Sequence, residues 1–144
     1  MADQTSSRIT IAARKSAIMD VIADFAAYPE WAGAVREATV LDTGSDGRAS
    51  TVRFVLDAGV LKDKYALGYE WDDDDACRWH LVEEGSVLRG MTGAYVLTEG
   101  GDGTEVRYDL RVDVKIPMIG MFRRKAEKVI IDTALGELKQ RVER

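Results

Sequence analysis

Residues 104–114, TEVRYDLRVDV, and residues 118–142, MIGMFRRKAEKVIIDTALGELKQRV, stand on either side of Pro117, and the change of rhythm between them decides the fold. In the first run Val106, Tyr108, Leu110, Val112 and Val114 alternate with Glu105, Arg107, Asp109, Arg111 and Asp113. A period of two puts successive side chains on opposite faces of a strand. Val106, Tyr108, Leu110 and Val112 are therefore expected inside, and Arg107, Asp109 and Arg111 outside. Beyond Pro117 the period turns helical, with Ile119, Phe122, Ala126, Val129, Ile130, Thr133, Ala134, Leu138 and Val142 as one apolar stripe. A strand with one dry face, followed by an amphipathic helix from about Met118 to Val142, predicts a sheet covered by the C-terminal helix.

Upstream, β-rich runs recur between turn-forming clusters. Val35 to Leu41, Ser50 to Leu56, Asp63 to Trp71, Cys77 to Val82 and Val87 to Thr98 precede the strand at Thr104 to Val114. The separators Gly44-Ser45-Asp46-Gly47, Asp72 to Asp75, Glu84-Gly85 and Gly100-Gly101-Asp102-Gly103 carry the residues that tight reversals demand, so the strands follow one another antiparallel. Before them, Ser7 to Ala13 alternates as a first strand. A helix is then predicted from an N-cap at Ser16 through Ala17, Ile18, Met19, Val21, Ile22 and Phe25. Pro29 ends that helix and can start another, which places a short second helix within Tyr28 to Ala34, carrying Trp31. The whole chain, residues 1–144, reads as a single α+β domain with a seven-stranded antiparallel sheet.

Composition narrows function. Twenty Lys and Arg against 25 Asp and Glu leave a net charge of -5, which opposes general attraction to nucleic-acid phosphates. No nucleic-acid partner is expected. Cys77 is the only cysteine and His80 the only histidine, so an intramolecular disulfide, a multi-cysteine metal site and a histidine triad cannot be built. The polar start, Met1 to Arg8, lacks the apolar core of a signal peptide, and the expected address is cytoplasmic. Asp72 to Asp75 lacks the spacing of a calcium loop and reads as a solvated hairpin. Gly100 to Gly103 reads as a turn rather than a phosphate loop, since no helix N-terminus follows it. Neither a metal nor a cofactor is expected.

Four local patterns bear a family likeness: Asp24-Phe25 through Tyr28-Pro29-Glu30-Trp31, Gly93-Ala94-Tyr95-Val96-Leu97, Gly103-Thr104-Glu105-Val106, and Leu138-Lys139. With the element order, they make the chain resemble the polyketide cyclase/dehydrase and lipid-transport superfamily, also called SRPBCC or START-like. The resemblance implies a helix-grip fold: a seven-stranded antiparallel sheet wrapped around a long C-terminal helix, two short helices after the first strand, and an apolar cavity between sheet and helix. It implies a small hydrophobic ligand. Function varies widely on one fold, so the resemblance alone selects no reaction.

Candidate residues follow from strand faces, each with two readings. Tyr65, Leu67, Tyr69 and Trp71 share one face of the fourth strand, and Trp79 and Leu81 one face of the fifth. They are either core packing or an aromatic wall whose phenols orient a planar or isoprenoid ligand. Met91, Tyr95, Tyr108, Met118 and Phe122 complete the expected ligand-binding set with Tyr65, Tyr69 and Trp79. If Met91, Gly93, Tyr95 and Leu97 face inward, Arg89 goes with them. Arg89 and Tyr95 are then candidate catalytic groups that bind a carboxylate or polarise a ketone or enolate oxygen. If the strand bulges before Arg89, that guanidinium lies in solvent. Arg123, Arg124, Lys125 and Lys128, beside Met118, Met121 and Phe122, form either a solvated helix face or a cavity mouth that makes transient contact with an anionic membrane. The first functional reading is binding or transport of a lipid, quinone or polyketide-like aromatic. The alternatives are a cofactor-independent polyketide aromatase/cyclase, which would be its form as an enzyme, and a protein-interaction module of the same fold.

Overall fold

The computed structural model describes residues 4–57, 62–116 and 120–144. Strand β1 (Thr5–Ile11) leads to helix α1 (Lys15–Ala23), a 3-10 turn (Phe25–Ala27) and the short helix α2 (Tyr28–Trp31). Six strands follow: β2 (Val35–Thr43), β3 (Ala49–Asp57), β4 (Lys62–Asp72), β5 (Ala76–Glu83), β6 (Leu88–Gly100) and β7 (Gly103–Val114). Helix α3 (Gly120–Glu143) closes the chain. The sheet order is β1-β7-β6-β5-β4-β3-β2 with every pairing antiparallel, which is the helix-grip arrangement expected.

Strand ends fall within about two residues of the alternation, because each turn cluster forces its reversal where the apolar rhythm stops. At Gly103 the backbone is left-handed (φ 126°) and a Cβ would meet the Ile11 carbonyl oxygen at 2.2 Å, so only glycine fits. The acidic hairpin Asp72 to Asp75 is a turn whose charges are held locally. Arg48 bonds the Asp73 carbonyl and reaches the Asp74 carboxylate at 2.7 Å, while Lys15 pairs with Asp75.

Three expectations need correction. Helix α1 starts at Lys15, and Ser16 does not cap it. The Lys15 amide donates instead to the Glu99 carboxylate at 3.0 Å, so a remote acid at the tip of β6 satisfies an orphan N–H that a local cap was expected to take. Asp109, expected in solvent, is buried: it accepts from Ser6 Oγ at 2.6 Å and from Arg107 Nε at 3.3 Å, and these neighbours cover it. Val106, Tyr108 and Leu110 are buried as expected, while Val112 is half-buried.

The third correction concerns α3. It buries Ile131, Leu135 and Leu138, with Glu127 one turn before them at 1% exposure. The expected stripe is inverted in the first half of the helix: Phe122, Val129 and Ile130 are exposed, as are Ala126 and Thr133. Ala134, Leu138 and Val142 do face the core. The helix carries apolar residues on two faces, and its buried face is tied to the sheet where β1 begins. Thr5, the first residue of β1, pairs with Leu110, so among the described residues the Val112 amide has no strand partner on that side. Glu127 supplies one: its carboxylate accepts from Val112 N–H at 2.6 Å and from the Thr5 hydroxyl at 2.6 Å. A half-buried backbone donor is satisfied in this way, and the bond holds the Glu127 face of the helix against the sheet.

Candidate functional site

The concave face of the sheet carries a continuous set of aromatic rings. Centroid separations are 4.9 Å for Phe25–Tyr69, 5.8 Å for Tyr69–Trp79, 5.5 Å for Trp79–Tyr108 and 4.7 Å for Tyr95–Tyr108. Tyr65 stacks on Phe54 at 5.8 Å, and Tyr28 joins through Phe25 and Phe54. Edge-to-face and offset contacts at these distances stabilise one another beyond their burial. Of the expected ligand-binding residues, Tyr65, Tyr69, Trp79, Tyr95 and Tyr108 are brought together here, with Met91 half-buried against the same cluster.

Gly93 explains how Trp79 fits. The two are opposite one another in the β5–β6 pairing, and a Cβ on Gly93 would sit 2.3 Å from Trp79 Cζ2. The indole therefore lies across the bare glycine backbone, in the space a side chain would fill.

The tyrosine hydroxyls distinguish this interior from an ordinary core. Tyr28 donates to the Ile22 carbonyl at 2.5 Å. The hydroxyls of Tyr65, Tyr69, Tyr95 and Tyr108 have no hydrogen-bond partner among the described residues, although Tyr65, Tyr95 and Tyr108 are buried and Tyr69 is half-buried. Burial raises the pKa of all four, reinforced at Tyr95 by the fields of Tyr108, Tyr28, Cys77 and Glu137. They stay neutral at physiological pH and offer hydrogen-bond donation rather than basicity. Burial likewise pushes the Cys77 thiol up to about 12, which removes it as a nucleophile.

Other candidates lie elsewhere. Arg89 points to solvent, against the inward expectation. Leu88 pairs with Val114 and Gly90 with Asp113, so Arg89 is the extra residue of a bulge, and Leu88 and Tyr95 can both face inward around it. Its guanidinium forms a two-point pair with Asp113, at 3.1 and 2.9 Å, with the side chain 57% exposed. His80 lies exposed on the outer face, beside a depression of about 370 Å³ that Arg78, Thr92 and Asp109 also line. A second depression, about 590 Å³, lies by Arg14, Glu99 and Gly103. Met118 falls outside the described residues. Among the described residues no cluster of His, Cys, Asp or Glu could hold a metal ion.

Phe122 does not join the cluster, yet its helix face leads towards it. Phe122, Ala126, Ile130, Thr133 and Glu137 follow one another at spacings of four and three, so they share a line along α3. At its far end Glu137 accepts from Gly33 N–H at 3.2 Å and lies close enough to Tyr95 to raise its pKa alongside burial. The exposed apolar stripe thus runs along α3 towards Glu137, whose charge reaches Tyr95.

Two residues that sequence reasoning passed over belong to this region. Trp31, expected only as a residue of the short second helix, has its Nε1 fully buried without a hydrogen-bond partner among the described residues. Asp63 is buried at the β4 entry and accepts backbone N–H bonds from Lys64 and Ser86 (2.9 and 2.7 Å) and from Val87 and Leu88 (3.3 and 2.9 Å). No local pattern signals a carboxylate that organises a loop more than twenty residues away.

Comparison with known structures places this geometry. A START superfamily protein from Mycobacterium smegmatis superposes with a TM-score of 0.90 over 97% of both chains at 22% identity. A Thermus thermophilus protein gives 0.78 over 96% of both at 22% identity. The Zhui aromatase/cyclase from a Streptomyces species gives 0.76 over 98% of this chain and 93% of its own at 13% identity. At these identities the likeness is one of fold. No curated protein matches the chain. The family described as polyketide cyclase / dehydrase and lipid transport matches residues 11–139, nearly the whole of the grip from the last residue of β1 to the end of α3's buried stripe, and the chain belongs to that family.

Proposed function

We propose that the protein binds a small hydrophobic molecule bearing oxygen acceptors, a lipid, quinone or polyketide-like aromatic, between the concave sheet face and α3. The observation that carries this reading is the set of four neutral phenols without protein partners inside an aromatic wall. Apolar burial supplies binding at about 25 cal/mol per Å², and the hydroxyls orient the ligand by donating to its oxygens. The same donors suit a carrier better than a cyclase. Neutral phenols can hold a carbonyl but cannot abstract a proton, and Arg89, the cation considered for the enolate, is engaged with Asp113 on the solvent side.

Native mass spectrometry of freshly purified protein, followed by identification of any released molecule, tests the reading directly. In parallel, neutral N-phenyl-naphthylamine should bind without metal and raise thermal stability as it saturates. Tyr95→Phe and Tyr108→Phe should leave stability within about 0.5 kcal/mol, because no protein bond is lost. They should weaken an oxygen-bearing ligand about fivefold while leaving the naphthylamine unaffected. Failure of every apolar probe to bind refutes the reading. Turnover of a poly-ketone that Arg89→Ala abolishes establishes the cyclase instead.

A further inference from the structure

The first half of α3 presents Met121 at 63%, Phe122 at 58% and Val129 at 60% exposure, with Ile130 beside them. Such a group of large apolar side chains on one helix marks a surface made to be covered. The charge around it is asymmetric. Asp46, Asp72, Asp73, Glu99 and Asp102, together with Asp74 and Asp75 that are paired to Arg48 and Lys15, belong to the turns after β2, β4 and β6 or lie beside them, and antiparallel pairing gathers these at one end of the sheet. Helix α3 begins after β7, at the opposite end. There Asp113 is paired with Arg89, Glu84 with Lys115, and further along the helix Asp132 with Lys128. Arg124 and Lys125 have no ion-pair partner among the described residues, so the apolar patch is flanked by uncompensated positive charge on a chain of net charge -5.

We infer that this end of α3 docks on an anionic lipid bilayer, with Met121 and Val129 entering the acyl boundary and Arg124 and Lys125 facing the headgroups. The occupant must offer apolar and anionic atoms within one side-chain length of each other, which the headgroup boundary does. The acidic turns at the far end orient the molecule, because they are repelled by the surface that attracts the start of α3. Among the described residues no helix is long and apolar enough to cross a membrane, so the contact is one of docking.

Co-sedimentation with vesicles of phosphatidylcholine alone, or mixed with phosphatidylserine, tests the inference. The protein should bind the mixed vesicles, release in high salt, and leave phosphatidylcholine alone unbound. R124A/K125A should lower partition onto mixed vesicles about 30-fold, at roughly 1 kcal/mol for each basic residue. M121S/V129S should lower it independently of salt. Naphthylamine binding in solution monitors whether each variant keeps its interior. Equal binding to both vesicle types, no binding, or an unaffected R124A/K125A variant overturns the docking; if naphthylamine still binds, the ligand reading stands apart from that failure. Concentration-dependent self-association in the absence of vesicles, abolished by M121S/V129S, assigns the patch to a second copy and also overturns it.

Discussion

Replacing Asp63 by asparagine should be among the most damaging single-atom changes in the molecule. Its two carboxylate oxygens take four backbone N–H donors, Lys64 and Ser86 on Oδ1, Val87 and Leu88 on Oδ2. An amide keeps one oxygen. Placed to preserve the Oδ1 bonds, it turns an NH2 group towards Val87 and Leu88, stranding two donors of which Leu88 is buried. Each stranded donor costs about 1–3 kcal/mol, and the surviving bonds lose their charge assistance, so Asp63→Asn should cost about 3–5 kcal/mol. At about 3 °C per kcal/mol for a domain of this size, the melting temperature falls by about 10–15 °C. The pH dependence provides an internal control. Burial alone would raise the Asp63 pKa, but the four N–H donors outweigh it and hold it below the ordinary 3.8. A carboxylate lowered on folding contributes stability that is complete above the unfolded value and disappears as pH falls through the folded one. The gap between wild type and Asp63→Asn should therefore be widest near neutrality and shrink below about pH 4, as wild-type Asp63 takes up its proton. Urea titrations followed by tryptophan fluorescence at several pH values measure this. A cost under about 1 kcal/mol at neutral pH, or a gap that stays constant into acid, refutes the reasoning.

Gly93→Ala should destabilise by about 1–3 kcal/mol and change tryptophan emission, since its Cβ meets the Trp79 indole at 2.3 Å. Gly90→Ala, whose nearest contact is Asp113 Cβ at 3.4 Å, should be tolerated, and equal losses by chemical denaturation would contradict the difference. Glu127→Ala should cost about 3–5 kcal/mol because it strands the Val112 N–H and leaves Arg123, 3.9 Å away, without its acid. Glu127→Gln, which can keep an acceptor on Val112, should cost less; a larger loss for Gln would show that the carboxylate is not serving that amide. Cys77, at 0% exposure with its thiol pushed up to about 12, should resist a thiol reagent at neutral pH until urea unfolds the chain. Rapid labelling of the folded protein would contradict that.

The elements were legible because each is written in a local rhythm. Val106 to Val114 alternates without a break, and the residues after Pro117 recur at helical spacing, so the strands, their hairpin succession and the terminal helix follow from periodicity and turns, while the place of β1 beside β7 does not. The orientation of α3 was not legible. Phe122, Ala126, Val129 and Ile130 outnumber the apolar residues of the face that is buried at that level, and Glu127 reads as a surface acid until the Val112 amide appears opposite it. Arg89 turned on a similar point: alternation carried it inward, and the one-residue slip between Leu88 and Gly90 carried it out. The aromatic set at Tyr65, Tyr69, Trp79, Tyr95 and Tyr108 was visible because alternation persists through β4, β5, β6 and β7. Which hydroxyls lack partners depends on how the rings pack, and no spacing encodes it.

The pairing of β1 with β7 sets an order of events as well as a shape. Hairpins from β2 to β7 join strands that are neighbours in the chain, whereas Thr5 must find Leu110 and Ile11 must find Thr104. Closing so long a loop is slow, because the chain entropy is lost before the contacts form. On a ribosome the first strand made is the last to be placed, and it waits unpaired while the rest of the sheet is synthesised. Glu127 reaches Thr5 and Val112 at the end of that same seam, so the terminal helix can clasp it only once β1 has arrived. Assembly of the two ends is therefore a single late event, and a chain that stops short of α3 leaves its first strand without the clasp that holds it.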